Sequence, residues 1–130
     1  MVPRRRVSSG GPWEERVGYS RAVRVGDRVW VSGTTGTRSD GSVPEDVADQ
    51  TRVAMATIAA ALREAGAEPA EVVAARIYVT DIEAWEGVAA AVREALGAAR
   101  PAMTMVQVAR LMLPVHRVEI EVEAIAGADA

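Results

Sequence analysis

The segment Val118-Glu119-Ile120-Glu121-Val122-Glu123-Ala124 places the tightest constraint on the fold. In extended backbone successive side chains point to opposite faces, so Val118, Ile120 and Val122 share one face and the three glutamates the other. The apolar face requires a core. The acidic face needs a reason, because like charges two residues apart repel unless they are solvated, paired with arginine, or used in chemistry. The simplest solution is a solvated edge strand, and any functional role for these carboxylates has to be weighed against it.

The remaining elements follow from local pattern. Residues 21–25 alternate, Gly26-Asp27 supplies a turn, and residues 28–33 resume the extended pattern, which reads as a hairpin. Gly33, Gly36 and Gly41 with Asp40 mark a loop over about 34–42. Pro44, Glu45 and Asp46 suit the first turn of a helix whose apolar stripe is Val47, Thr51, Ala54, Ile58 and Leu62, with Gly66 as its stop. Val72 to Thr80 is β-branched enough for a central strand, and Thr80 and Glu83 have the spacing of a capping box. The next helix puts Trp85, Val88, Ala89, Val92 and Leu96 on one stripe and ends near Gly97, after which Pro101 opens a strand over residues 103–108. Trp30 and Trp85 are expected in the core, and Trp13 over a cleft or an interface.

The order β-β-α-β-α-β-β predicts a single α+β domain over residues 1–130, with one mixed sheet and two helices on one of its faces. Residues 1–12, including Arg4-Arg5-Arg6, are expected as a mobile tail. A sheet bare on its second face in so small a domain predicts an oligomer that covers it.

Composition narrows the chemistry. All fifteen basic residues are arginines and there is no Cys, so Schiff-base chemistry through lysine, thiolate chemistry and disulfides are excluded. The one histidine, His116, cannot build a multi-histidine zinc site, and no calcium-loop spacing occurs, so no metal or cofactor is expected. A net charge of −3 with scattered arginines argues against a nucleic-acid partner. No apolar run approaches the roughly 20 residues that cross a bilayer, and polar Ser8-Ser9-Gly10 follows the arginine cluster where a signal peptide would be apolar. A cytoplasmic protein without membrane contact is expected.

Six motifs in order then carry a resemblance. Tyr19 followed by Val31-Ser32-Gly33, then Asp49-Gln50-Thr51, Ala65-Gly66-Ala67, Val79-Thr80-Asp81-Ile82, Arg100-Pro101-Ala102, and the carboxylate strand through Ala126 together resemble the Rid family of reactive intermediate deaminases, also called YjgF or UK114. The resemblance implies the fold inferred above, a homotrimer with small-molecule clefts between adjacent subunits, and hydrolysis of enamines and imines to a 2-oxo acid and ammonia. It makes Glu121 the glutamate that positions or activates the attacking water, Tyr19 a cleft tyrosine, and Ser32 and Gly33 part of the cleft wall. Two residues after the proline of the Pro-Ala motif the deaminases carry an arginine that clamps the substrate carboxylate; this chain has Met103 there. A thioether cannot replace that charge-assisted fork, whose loss in a desolvated cleft costs about 2–5 kcal/mol.

The chain therefore resembles branches of the family that lack this arginine, and its expected substrate is a relatively apolar enamine, imine or related carbonyl compound, not a standard 2-imino acid. Met103, Thr104 and Met105 are expected to line the cleft. Glu121, with its pKa raised in a partly apolar crevice, would serve as general base to water or as acid to an enamine carbon. Its structural alternative is an ion pair with Arg76 or Arg110. His116 is a second catalytic candidate, against the alternative of an exposed loop histidine. Alternatives at the level of function are a noncatalytic metabolite-binding sensor or scaffold and a non-hydrolytic catalyst of a specialised-metabolite pathway.

Overall fold

A computed structural model describes residues 2–129, and in it the carboxylate strand lies at the centre of the sheet, not at its edge. That strand, β6 (Val118–Ile125), pairs antiparallel with β3 (Arg28–Thr35) on one side and β4 (Val72–Val79) on the other. Beyond β3 come β2 (Ala22–Val25) and β1 (Arg4–Val7), and beyond β4 lies β5 (Ala102–Gln107), the one parallel pairing. The sheet is thus mixed and six-stranded, in the order β1-β2-β3-β6-β4-β5. Helices α1 (Pro12–Val17), α2 (Val47–Glu64) and α3 (Trp85–Leu96) complete the chain, and among the described residues no helix is long and apolar enough to cross a membrane.

The alternation of β6 is realised side chain by side chain. Val118, Ile120, Val122 and Ala124 are at most 1% exposed and merge with Val29 and Val31 of β3 and with Ile77 and Val79 of β4. Ile58 and Leu62 of α2 and Val88, Val92 and Leu96 of α3 cover them from one side. Each such side chain contributes about 1.5–3 kcal/mol relative to leaving it in water. The other face carries Glu119, Glu121 and Glu123, all partly exposed.

Several sequence expectations need correction. The terminal arginines, read as a mobile tail, form β1: Val7 is 3% exposed, and the Arg5 guanidinium donates to the Glu64 carbonyl at 2.5 Å. Arg24 Nη1 reaches the Ala65 carbonyl at 2.9 Å, so two arginines serve the C-terminal carbonyls of α2, where helix geometry leaves acceptors without partners. Pro44 and Glu45 precede α2, because Asp46 is the N-cap and accepts from the Asp49 amide. Asp81, not Thr80, caps the turn before α3 by accepting from the Glu83 amide. Trp85 is 51% exposed at the first position of α3, and Trp30 lies on the open face of β3 with the Arg28 guanidinium 5.2 Å from its ring centroid, so neither is core. Trp13, in α1, has Arg16 stacked at 4.7 Å.

Candidate active site

The open face of β6 gains its shape from an irregularity in β3. Register with β6 shifts between Val31 and Thr34, so Ser32 and Gly33 sit at a bulge where the Thr34 hydroxyl bonds the Ser32 carbonyl at 2.8 Å. Gly33 lies directly beneath the Glu119 carboxyl group, and a Cβ at position 33 would collide with that carboxylate. Glycine is required there for close approach, not for an unusual dihedral. Arg21, 9% exposed, holds the bulge from behind through Nη2 to the Gly33 carbonyl at 2.7 Å; its Nε is buried without a partner.

Glu121 is bound differently. In register it faces Arg76 of β4, yet Arg76 leans to Glu123 at 3.8 Å, and the phenol of Tyr78 donates diagonally to Glu121 Oε1 at 2.5 Å. Arg110 spends Nε and Nη2 on the Leu111 and Met112 carbonyls of its own loop at 3.3 and 3.4 Å. The arginine ion pair considered as an alternative for Glu121 is therefore not formed. The bond to Glu121, followed by burial, raises the Tyr78 phenol pKa, which keeps its proton available for donation. Burial pushes the Glu119 carboxyl pKa up, opposed by the Arg21 charge and reinforced by Glu121.

Gly33, Tyr78, Glu119 and Glu121 form the floor of an open cleft of ≈ 330 Å³, walled by Val108, Arg110 and Leu111 from the connection between β5 and β6. Two carboxyl groups of unlike environment and a phenolic donor on one surface can hold, give and take protons. Arg100, left-handed at φ 41°, lines a separate crevice beside Pro101 and cannot stand in for a carboxylate clamp here.

Of the residues singled out from sequence, Glu121 and Gly33 meet in this cleft, and the others do not line it. Ser32 donates to the Ser20 carbonyl at 2.6 Å, a bond that holds the bulge. Tyr19 is 36% exposed beside the cleft's support, its ring 5.5 Å from the Arg21 guanidinium. Met103 and Met105 are in register with buried Ala75 and Ile77, which turns them toward the helix side of the sheet; Met105 packs on the core. Thr104 shares the open face, in register with Arg76 and hence with Glu121 two strands away. In a single chain these three do not line the cleft.

His116 is neither an exposed loop residue nor a cleft residue. It is 7% exposed, with Nε2 3.0 Å from the Thr37 hydroxyl and Nδ1 buried without a partner, and burial pushes its pKa down. Sequence reading passed over Tyr78 and gave Glu119 no separate role. The alternation of Arg76 and Tyr78 along their strand was the available signal, but it points to Glu121 only once β4 is known to pair with β6.

Comparisons with known proteins agree on one family. The family model described as Endoribonuclease L-PSP matches residues 13–127. A Mycobacterium tuberculosis crystal structure, described as a member of the highly conserved YjgF/YER057c/UK114 family, superposes with a TM-score of 0.88 at 48% identity, covering 95% of this chain and 100% of that one. An uncharacterized Streptomyces coelicolor protein is 38% identical over 125 residues, 95% of this chain and 93% of its own. A Dermatophagoides farinae protein named 2-iminobutanoate/2-iminopropanoate deaminase is 29% identical over 123 residues, 93% of this chain and 95% of its own.

Proposed function

The chain belongs to the Endoribonuclease L-PSP family, the YjgF/YER057c/UK114 proteins, and from that membership we propose that it is a small-molecule hydrolase acting on an enamine or imine at a cleft completed by a neighbouring subunit. One observation carries the reading: Glu121 is free of arginine, held by the Tyr78 phenol, and open to the cleft. There it takes a proton from water as the oxygen adds to the C=N carbon, and returns that proton to the departing amine. The relative named as an imine deaminase supports the reaction type.

The substrate carries no carboxylate. Position 103 is methionine, so the arginine that clamps a substrate carboxylate in the deaminases is missing, and an anionic substrate would meet the carboxyl groups of Glu119 and Glu121 in the cleft. The same charge balance disfavours a phosphate backbone and so favours a small molecule over RNA. A homotrimer fits the uncovered sheet face, whose apolar members include Val106 at 42% exposure, with Met112 and Leu113 nearby on the β5–β6 connection at 63% and 41%.

The test has two arms. Native mass spectrometry should find three copies; a monomer defeats the proposal. Hydrolysis of 1-morpholinocyclohexene, an enamine without a carboxylate, should proceed faster than 2-iminopropionate hydrolysis and should be abolished in Glu121→Gln with binding retained. Equal turnover in Glu121→Gln and the parent chain would defeat the role given to Glu121, and no turnover in either would leave a noncatalytic metabolite-binding protein as the better reading.

A further inference from the structure

We propose that Glu119 is a second catalytic carboxyl group, the proton donor that works with Glu121, so that one strand supplies both the acid and the base of the cleft. The inference deepens the proposed function and rests on it.

The geometry treats the two glutamates unequally although they stand two residues apart on one face of β6, about 7 Å along the strand. Glu121 accepts a hydrogen bond from the Tyr78 phenol. Glu119 lies over the bare backbone of Gly33, partly buried, and no hydrogen bond enters into its ionisation among the described residues. The groups facing it are Arg21 behind the bulge, Thr35 in register on β3, Tyr78 in register on β4, Glu121 on its own strand and Arg110 across the cleft. Burial outweighs the opposing charge of Arg21, whose guanidinium donates to the Gly33 carbonyl, and the neighbouring Glu121 adds to the effect of burial. Like charges on neighbouring carboxyls are relieved when one keeps its proton, and the one without a donor is the one that keeps it.

The reaction then balances. The Glu119 O–H bond breaks as a C–H bond forms at the enamine carbon, and the nitrogen lone pair makes the C=N bond of an iminium ion. Water adds to the iminium carbon while Glu121 takes its proton, giving a carbinolamine. The C–N bond breaks as Glu121 protonates the leaving nitrogen, and the hydroxyl proton returns to Glu119 as the carbonyl forms. Both carboxyl groups end as they began, and the net reaction is enamine plus water to ketone plus amine. With an imine the first proton goes to nitrogen and the later steps are the same. General acid catalysis of this kind is worth about 10²–10⁴-fold.

The test titrates the assembled protein, labelled with ¹³C at the glutamate carboxyls, by NMR. The signal lost in Glu119→Gln should titrate above the ordinary carboxylate range and move down in Glu121→Gln, where the neighbouring charge is gone. An ordinary or depressed titration overturns the proposal whatever the activity. On 1-morpholinocyclohexene, Glu119→Gln should lower kcat about 100-fold, with Glu119→Asp recovering part of the loss and its pH profile. Turnover and pH profile unchanged in Glu119→Gln overturn the proposal and leave the role of Glu121 standing. No turnover by the parent chain, with the elevated titration present, overturns the parent reading instead.

Discussion

Gln50 ties the wall of the cleft to the helical layer, and replacing it with leucine should loosen both. The side chain is fully buried on the inner face of α2, where Nε2 donates to the Pro44 carbonyl at 2.8 Å and the Val115 carbonyl at 3.0 Å, and Oε1 accepts from the Arg117 amide at 2.9 Å. Two of these three groups belong to the connection that delivers Val108, Arg110 and Leu111 to the cleft. Leucine keeps most of the volume and the helix propensity while deleting every bond, so the cost isolates the polar contribution. At about 1 kcal/mol net per bond the loss is about 3 kcal/mol, rising toward about 5 kcal/mol if the abandoned backbone groups stay dry. Gly36 limits any compensating shift, since its backbone lies against that of Gln50 so closely that a Cβ would collide with it. Urea unfolding at a fixed protein concentration measures the change, and amide exchange at Arg117 reports whether the connection has come free. A loss below about 1 kcal/mol with the Arg117 amide still protected would refute the assigned bonding.

Other perturbations probe single contacts. Glu121→Gln should bring the Tyr78 phenol pKa down toward 10.0; with two tyrosines in the chain, one ultraviolet transition should shift, and an unmoved curve would count against the bond. His116 has a folded pKa below 6.5, so the unfolded chain binds more protons and stability should fall as pH drops from about 6.5 through the folded value. Unfolding midpoints of His116→Gln should be flatter across that window, and an unchanged slope would disprove the assignment. Glu119 has the opposite sign: its folded pKa is raised above 4.5, so stability falls as pH climbs from about 4.5 through the folded value, and Glu119→Gln should remove that fall. Gly33→Ala should push the Glu119 carboxyl off its seat and slow enamine turnover about 100-fold; full activity with Glu119 undisplaced in a crystal structure would contradict the packing.

What could be read from the chain follows the range of the forces involved. The hairpin around Gly26-Asp27, the two amphipathic helices and the alternation of residues 118–124 depend on side chains a few positions apart, and each recurs in the structure. Where a segment's state depends on a distant partner, reading by pattern failed. Arg4-Arg5-Arg6 is polar and terminal, hence loose by local criteria, yet Arg5 finds the last carbonyls of α2 fifty-nine residues away. Trp30 and Trp85 are large and apolar, but a strand has two faces and a helix stripe has an end, and both fall on the exposed side.

The sequence by itself determined that three carboxylates face away from the core and that neither lysine, thiol nor a histidine cluster can do this protein's chemistry, because backbone geometry and residue identity need no partner to be decided. Only the tertiary structure decided how those carboxylates differ. Placing β6 between β3 and β4 brings the Tyr78 phenol to Glu121, a bulge slides Gly33 under Glu119, and Arg76 is drawn aside to Glu123. These are contacts between strands far apart in the chain, set by register and a one-residue irregularity, and no local pattern encodes them.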